Sequence, residues 1–223
     1  MSDGNPAFWK KHASRYDRAT RRLSSGFAEM AQAVAARTRG AGDVLEIAAG
    51  TGMVTEIAAP GAGHYIATDA SEEMLEILRA RVGTAGHIQV RAADALALSF
   101  PDAAFDVVVM ANLLHLLPQP LEALAEAWRV LRPGGLLVAP TFAHGQGLRA
   151  NVVSRLLAGI GFPVQTRFRG DELDQLIGRA GFELREARWF SGLIPIRFVV
   201  FGRREKTTER RISLVTCGPQ PET

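Results

Sequence analysis

The 223-residue sequence predicts an α/β fold built on a mostly parallel sheet of seven strands, with helices on both faces. Short, nearly continuous apolar runs, typical of strands buried on both faces, alternate with helical patterns from residue 43 onward. The last third changes rhythm, because two β-rich runs follow each other with only a Gly/Pro loop between them. The pattern indicates βαβ units with right-handed crossovers, closed by a C-terminal antiparallel hairpin.

The predicted strands are short and rich in β-branched and aromatic residues. Five of them form the parallel part of the sheet and the last two form the hairpin: Asp43–Ala48, Tyr65–Asp69, Ile88–Ala92, Asp106–Ala111, Leu136–Phe142, Glu183–Phe190 and Ile196–Phe201. Asp106 is assigned a structural role at the start of its strand.

The predicted helices lie between these strands: Met53–Ala59, Glu72–Val82, 121–131, Asn151–Ile160 and Asp171–Ala180. Ser71 is the expected N-cap of the second helix, and Gly181 ends the last one. One face of the helix over 121–131 is expected to be buried, because its apolar residues recur at spacings of three and four. These residues are Leu121, Leu124, Ala125, Trp128 and Leu131.

Composition favours a folded, soluble protein, with 47% hydrophobic and 22% charged residues. No apolar run approaches the roughly 18 residues of a membrane span, and Met1–Lys10 lacks a signal-peptide pattern. The single cysteine, Cys217, excludes an internal disulfide and a cysteine-based zinc cluster. We therefore expect a cytoplasmic protein and predict no metal site.

Charge divides the chain into three segments. Residues 1–40 carry a net charge of +5, residues 41–202 carry −4 and residues 203–223 carry +2. We predict an N-terminal helical segment over 1–40, an α/β domain over 41–204 and a mobile polar tail over 205–223. The basic ends are compatible with contact to nucleic acid or an anionic membrane, although solvated helix faces and a tail are the favoured interpretation.

The end of the first predicted strand, Val44–Gly52, is the most informative segment for function. A buried strand runs into a turn of small residues and then into a helix. Small residues let a ligand approach the backbone, and a helix N-terminus offers free N–H groups. Asp69 ends the second strand, where a carboxylate can accept hydrogen bonds from ribose hydroxyls. The sequence therefore predicts a nucleoside-like ligand at this edge of the sheet.

Two interpretations of that ligand compete, beside a purely structural tight turn. A dinucleotide site requires G-x-G-x-x-G, whereas this turn reads Ala48-x-Gly50-x-Gly52 and has Thr55 where the third glycine would lie. Glu46, just before the turn, would repel a pyrophosphate but suit a cationic ligand. A nicotinamide-dependent oxidoreductase is thus the less favoured alternative.

This turn is the first of several motifs that occur in order over about residues 43–142. The motifs are Glu46–Gly52, Thr68–Leu75, Ala93–Ala95 with Phe100-Pro101, Phe105–Val108 and Arg129–Gly135. With these motifs the chain resembles class I S-adenosylmethionine-dependent methyltransferases. The resembling subgroup includes ubiquinone/menaquinone C-methyltransferases and bacterial phospholipid N-methyltransferases. The resemblance implies a Rossmann-like sheet, methyl transfer, S-adenosylmethionine as cofactor and S-adenosylhomocysteine as product.

The resemblance also implies roles for individual residues, from the methionine part of the cofactor to its adenine ring. The residues implied to bind the methionine part are Glu46, Ala48, Ala49, Gly50, Thr51 and Gly52, and Asp69 is implied to bind the ribose. The residues implied to contact the adenine ring are Ala70, Met74, Asp94 and Ala95, and those at the methyl-donor end are Ala111 and Asn112. Ala48 departs from the family, which usually has a glycine there. Met74 as a core residue and Asp94 as a turn residue are the alternative interpretations.

Methyl transfer needs alignment first, and a base only where the acceptor must lose a proton. His115 and His144 are the candidate bases, since they follow the fourth and fifth strands on the ligand side of the sheet. The alternative for His115 is packing within its leucine-rich loop.

The N-terminal stretch Phe8–Asp17 resembles the family's A-x-x-Y-D motif, which implies a lid in which Tyr16 faces the sulfonium or the acceptor. Its basic residues also allow peripheral contact with anionic lipid, with Phe8, Trp9 and Phe27 inserted.

The expected acceptor is a small or lipid-like molecule. A nucleic-acid acceptor is disfavoured, because Leu113-Leu114 follows Asn112 in place of a Pro-Pro-aromatic element and the chain has no Pro-Cys dipeptide. A non-catalytic methyltransferase-like partner protein is the remaining alternative. The sequence selects neither the methylated atom nor an oligomeric state.

Overall fold

The computed structural model describes residues 17, 18, 20, 22, 24–144, 146–159 and 164–203. Its centre is an eight-stranded sheet in the order β3-β2-β1-β4-β5-β8-β6, with β7 paired to β8. The strands are β1 Asp43–Ile47, β2 His64–Asp69, β3 Ile88–Ala92, β4 Phe105–Val109, β5 Leu131–Val138, β6 Thr141–Phe142, β7 Glu183–Phe190 and β8 Ile196–Gly202.

The sheet has one reversed strand. All pairs among β1 to β5 are parallel, whereas β8 runs antiparallel to β5, β6 and β7. β5 and β6 lie along the same side of β8, where Val138 pairs with Val200 and Thr141 with Arg197. The eight segments therefore fill seven positions, and the predicted mostly parallel sheet with a C-terminal hairpin is confirmed. The predicted strand Leu136–Phe142 is divided at Pro140, which has no N–H to donate.

Helices cover both faces of the sheet. They are α1 Phe27–Thr38, α2 Thr55–Ala58, α3 Glu72–Val82, α4 Pro120–Val130, α5 Gly147–Gly159 and α6 Glu172–Arg179, with single 3₁₀ turns at Ala59–Gly61 and Leu114–Leu116. α3 has its predicted bounds, and the Ser71 hydroxyl accepts a hydrogen bond from Met74 N–H as an N-cap. No helix among the described residues is long and apolar enough to cross a membrane.

Alternate residues of each central strand enter two separate cores, as the pleat requires. Val44 and Val107 join the core beneath α1, α2 and α3. Leu45 and Val108 join the core beneath α4 and α6. Both faces of the sheet are thus buried, which accounts for the continuous apolar runs in the sequence.

The predicted buried face of α4 is partly wrong. Its buried residues are Ala123, Leu124, Ala127 and Val130. Leu121 and Ala125 are exposed, and Trp128 is half-buried against the ring of Phe182, 4.9 Å away. The predicted and the observed faces both have helical spacing. The face with Ala123 and Ala127 lies against the sheet, because small side chains permit a closer approach.

Asp106 has the structural role predicted for it. Its carboxylate accepts a hydrogen bond of 2.9 Å from Asp43 N–H and forms an ion pair with Arg132. These contacts tie the starts of β1, β4 and β5 together, at the edge of the sheet opposite the predicted ligand site.

Candidate active site

A cavity lies at the carboxyl ends of β1, β2 and β4, where ligands bind in open α/β sheets. Every predicted cofactor residue except Gly52 lines it: Glu46, Ala48, Ala49, Gly50, Thr51, Asp69, Ala70, Met74, Asp94, Ala95, Ala111 and Asn112. The fold therefore brings together residues from four segments of the chain that were predicted separately.

Gly52 contributes through its conformation. Its φ is +81°, and a Cβ on it would lie 2.3 Å from Leu78 Cδ1 of α3. A glycine is needed here for both reasons, since the left-handed region and the close approach each disfavour a side chain. Gly52 thus lets the turn pack against α3, and its neighbours Gly50 and Thr51 face the cavity.

Ala48 also lies in the left-handed region, with a φ of +57°. The usual family residue at this position, glycine, would avoid the strain of about 1–2 kcal/mol that a Cβ causes there. The departure noted in the sequence therefore carries a cost in stability, although Ala48 lines the cavity in the expected place.

The variant Ala48→Gly is expected to raise the free energy of unfolding by about 0.5–1 kcal/mol, because relief of strain exceeds the entropy that glycine adds to the unfolded chain. Urea denaturation measures the change. Ala49→Gly is the matched control, because Ala49 is not among the residues with positive φ, and it should destabilise by about 0.5–1 kcal/mol. Destabilisation of the same size in both variants would contradict the prediction.

Asp69 joins the ends of β1 and β2. Its carboxylate accepts hydrogen bonds from Gly50 N–H at 2.8 Å and from Ser71 N–H at 2.9 Å, one on each oxygen. Burial raises the pKa of this carboxyl, and the backbone hydrogen bonds oppose that effect. Each oxygen can accept a second hydrogen bond, so the side chain can hold the turn and still bind two vicinal hydroxyls.

Glu46 forms the floor of the cavity and is 1% exposed. Its Oε2 accepts hydrogen bonds from Thr55 Oγ1 at 2.6 Å and from the Tyr65 hydroxyl at 2.9 Å. Burial raises the pKa of Glu46 to about 7, although both hydrogen bonds lower it. A cation entering the cavity would favour the ionised form.

Asp94 lies in the predicted place and also has the alternative role of a turn residue. It lines the cavity, and its Oδ1 also accepts a hydrogen bond of 3.0 Å from Leu96 N–H within a turn. The irregular segment that follows is held by Arg129 of α4, whose guanidinium donates to the carbonyls of Leu98 at 2.8 Å and Phe100 at 2.7 Å. Arg129 was not predicted as a site residue, because only the fold brings it to this segment.

Asp17 connects the N-terminal region to the glycine turn. Its carboxylate accepts a hydrogen bond from the Thr51 hydroxyl and forms an ion pair with Arg81 of α3. Tyr16, the candidate aromatic contact, lies outside the described residues, as do Phe8 and Trp9 and the predicted tail at 205–223.

Phe27 corrects part of the membrane prediction. It was expected to insert into lipid, but it is buried at the start of α1 and lines the cavity. The apolar part of the lining also includes residues without a prediction, namely Met53, Val54, Leu113, Leu116 and Leu117.

The two candidate bases meet at the carboxyl edge of the sheet, with ring centroids 4.9 Å apart. Burial lowers the pKa of His144 to about 4, assisted by the charge of Arg167. Burial and the neighbouring His144 lower the pKa of His115 well below its usual value. Neither ring belongs to the cavity lining. The structure therefore favours packing as the interpretation of His115 over direct contact with a ligand in this cavity.

Asn112 follows β4, which lies on the other side of β1 from β2, the strand that ends at Asp69. Its φ is +57°, and its N–H donates to the Pro140 carbonyl at 2.6 Å. The side-chain Oδ1 is buried and has no hydrogen-bond partner among the residues that the structure describes. A ligand donor at this end of the cavity would satisfy it.

Comparison with known proteins identifies the region that carries this cavity. The model of a family described as a methyltransferase domain matches residues 45–139. These residues form a methyltransferase domain. The match extends from β1 to the residue after β5 and includes most of the cavity, so the predicted family is confirmed for this part of the chain.

Relatives of the methyltransferase domain are found among curated proteins and solved structures. A demethylmenaquinone methyltransferase of Clavibacter sepedonicus is 35% identical over 140 residues, which cover 61% of this chain and 57% of that protein. The N-methyltransferase NodS of Bradyrhizobium japonicum, solved with S-adenosylhomocysteine, is 20% identical with a TM-score of 0.73, covering 91% of this chain and 100% of that one.

These similarities cover only part of the curated relatives, and they extend to a protein with a different activity in its name. The chain spans about half the length of the curated relatives it matches, 57% for the relative just named. The fold likeness also includes the [4+2]-cyclase SpnF, with a TM-score of 0.64 at 19% identity, over 79% of this chain and 81% of that chain. The methyltransferase-domain fold thus occurs in a protein named for different chemistry, so the fold alone does not define an activity.

Proposed function

We propose that this protein is an S-adenosylmethionine-dependent methyltransferase acting on a small or lipid-like apolar acceptor. The observation that carries the proposal is one cavity in which the carboxylates of Glu46, Asp69 and Asp94 lie at three neighbouring strand ends. Their order along the cavity suits a molecule with a cation at one end, a ribose in the middle and an adenine at the other. A dinucleotide would place a pyrophosphate beside Glu46, which that carboxylate disfavours.

The bound cofactor would supply an electrophilic methyl group on a sulfonium and leave as a neutral thioether. The protein's task is to hold the acceptor about 3–3.5 Å from that methyl group, in line with the breaking bond. Asn112, after β4, is proposed to act there, since it lines the cavity and its Oδ1 has no hydrogen-bond partner among the described residues. The backbone of the Ala48–Thr51 turn fixes the cofactor from the other side.

An apolar acceptor is supported by the remaining lining, formed by the side chains of Phe27, Met53, Leu113, Leu116 and Leu117. The curated relatives are named as methyltransferases of demethylmenaquinone and of ubiquinone/menaquinone biosynthesis. From these names we take only the chemical class of the proposed methyl acceptor, a ring compound with apolar substituents.

The N-terminal segment completes the proposed site. Asp17 is hydrogen-bonded to Thr51 of the cavity turn, which supports a role of this segment at the cofactor. For Tyr16 we propose the role that the family motif implies, an aromatic contact with the sulfonium or the acceptor. We also retain contact of the basic residues over 1–40 with anionic lipid as part of the proposal. His115 and His144 remain proposed bases only for an acceptor that reaches beyond the present lining.

Titration of S-adenosylhomocysteine into the protein by calorimetry tests the proposed function. We expect micromolar binding with one site per chain, and no binding of NADH under the same conditions. Binding of NADH alone would favour an oxidoreductase. Absence of binding by folded protein, verified by circular dichroism, would favour a non-catalytic partner protein.

Binding of S-adenosylhomocysteine is expected to release a proton near neutral pH. The pKa of Glu46 is raised to about 7 by burial, and the ligand's ammonium group favours the ionised carboxylate. Affinity should therefore rise with pH, by about tenfold between one pH unit below that pKa and one unit above it. Calorimetry in buffers of different ionisation enthalpy measures the proton directly.

Two controls isolate Glu46 in this experiment. Methylthioadenosine, which lacks the amino-acid part, should bind without the pH dependence, and the variant Glu46→Gln should lose that dependence for S-adenosylhomocysteine. An unchanged pH profile in Glu46→Gln would assign the proton to another group.

A further inference from the structure

Helix α5 exposes an unusual row of apolar side chains. Leu148, Val152 and Leu156 are 81%, 50% and 68% exposed. They recur every four residues and so lie on one face of the helix, which we call the α5 stripe. The opposite face is anchored in the protein, because Ala150 and Ser154 are buried. Leu193, in the loop between β7 and β8, is 54% exposed and shares a groove with Leu148.

The chain that carries the α5 stripe is basic, and the next acidic residues, Asp171 and Glu172, follow Gly170. Residues 147–170 contain four arginines and no aspartate or glutamate, whereas residues 41–202 as a whole carry −4. Arg149 and Arg155 are exposed on α5 itself, and Arg22 lines the groove beside Leu148. By contrast, the exposed Leu121 on α4 is followed directly by Glu122.

We propose that the α5 stripe is a docking surface for an anionic lipid bilayer. An amphipathic helix with a leucine-rich face flanked by arginines lies in the plane of a membrane interface, with its apolar side chains among the acyl chains and its cations at the phosphates. The absence of acidic residues over 147–170 makes the surface complementary to anionic headgroups. Of the basic residues over 1–40, Arg22 adjoins this surface.

The position of α5 connects the bilayer with the cavity. α5 begins a few residues after β6, at the carboxyl edge of the sheet where the cavity lies. An acceptor dissolved in the bilayer would therefore reach the protein on its cavity side. This second step rests on the proposed function, whereas the docking of α5 does not require it.

Co-sedimentation with phospholipid vesicles tests the docking surface. We expect binding to phosphatidylcholine vesicles that contain phosphatidylglycerol and little binding to phosphatidylcholine alone. The double variant Leu148→Ser/Leu156→Ser should bind at least about tenfold more weakly. The matched control Leu121→Ser/Leu184→Ser replaces two leucines exposed elsewhere, at 49% and 46%, and should bind like the unmodified protein.

Variants of the α5 arginines, and the binding of S-adenosylhomocysteine by all variants, complete the test. Arg149→Gln/Arg155→Gln should weaken binding to the anionic vesicles and reduce its dependence on salt. All variants should bind S-adenosylhomocysteine equally, so loss of docking is separated from failure of the proposed function. Full vesicle binding by Leu148→Ser/Leu156→Ser, equal binding to neutral vesicles, or a change from dimer to monomer in that variant by light scattering would each overturn the proposal.

Discussion

Replacing Asp69 with alanine is expected to weaken the binding of S-adenosylhomocysteine at least about a hundredfold, because two charge-assisted hydrogen bonds to the ribose are lost. The carboxylate is positioned for both. Each of its oxygens already accepts one hydrogen bond from a backbone N–H, of Gly50 or Ser71, and can accept a second one from a ribose hydroxyl. Calorimetric titration of the purified variant measures the loss.

Asp69→Ala also removes the acceptors of two backbone N–H groups, so the ligand contact must be separated from a loss of fold. Adenosine and 2′,3′-dideoxyadenosine serve this purpose, because they differ only in the ribose hydroxyls. The unmodified protein should prefer adenosine, and Asp69→Ala should bind the two alike. Asp102→Ala, which removes an exposed carboxylate outside the cavity lining, should retain the preference. A preference that survives in Asp69→Ala would place the ribose elsewhere.

The substitution Gly52→Ala is expected to lower the free energy of unfolding by about 2–4 kcal/mol, the second large effect. Part of this cost is the left-handed backbone at a φ of +81°. The rest is overpacking, since the new Cβ would lie 2.3 Å from Leu78 Cδ1 in a fully buried side chain. Urea denaturation followed by circular dichroism provides the measurement.

Gly50→Ala is the matched control for the overpacking contribution. Gly50 has a φ of +57°, but no atom lies within 4 Å of a Cβ built on it. Only the backbone strain of about 1–2 kcal/mol should appear in its stability. Because Gly50 lines the cavity, this variant should instead lose affinity for S-adenosylhomocysteine. Equal destabilisation in both variants would mean that contact with Leu78 contributes nothing.

Local sequence signals located most elements of the sheet, and they failed where tertiary pairing overrides them. The bounds of α3 and β7 are as predicted, since a capping serine and a run of β-formers mark them. β5 begins at Leu131, five residues before the predicted start, although Pro133-Gly134-Gly135 reads as a turn. Pairing of Phe105 with Leu131 draws that turn into the strand, with a register shift beside it.

The candidate site was predictable where backbone geometry dictates the residue. The glycine turn and Asp69 carry a chemical signature, so their positions at strand ends identified them. Phe27 and Leu116 carry none, because an apolar residue in a lining looks like one in a core. Asp17 and Arg129 belong to sequence motifs, but the motifs do not specify their side-chain contacts, which join distant parts of the chain.

The hydrogen bonds from Arg129 to the segment after β3 affect the thermodynamics of cofactor binding. That segment has no regular strand or helix between Ala92 and Phe105, yet its Leu98 and Phe100 carbonyls are fixed by one guanidinium, itself paired with Glu126. The loop carrying Asp94 is thus preorganised. An incoming adenine would meet a surface whose ordering entropy was lost when the chain folded, so little of the binding energy would go into arranging it.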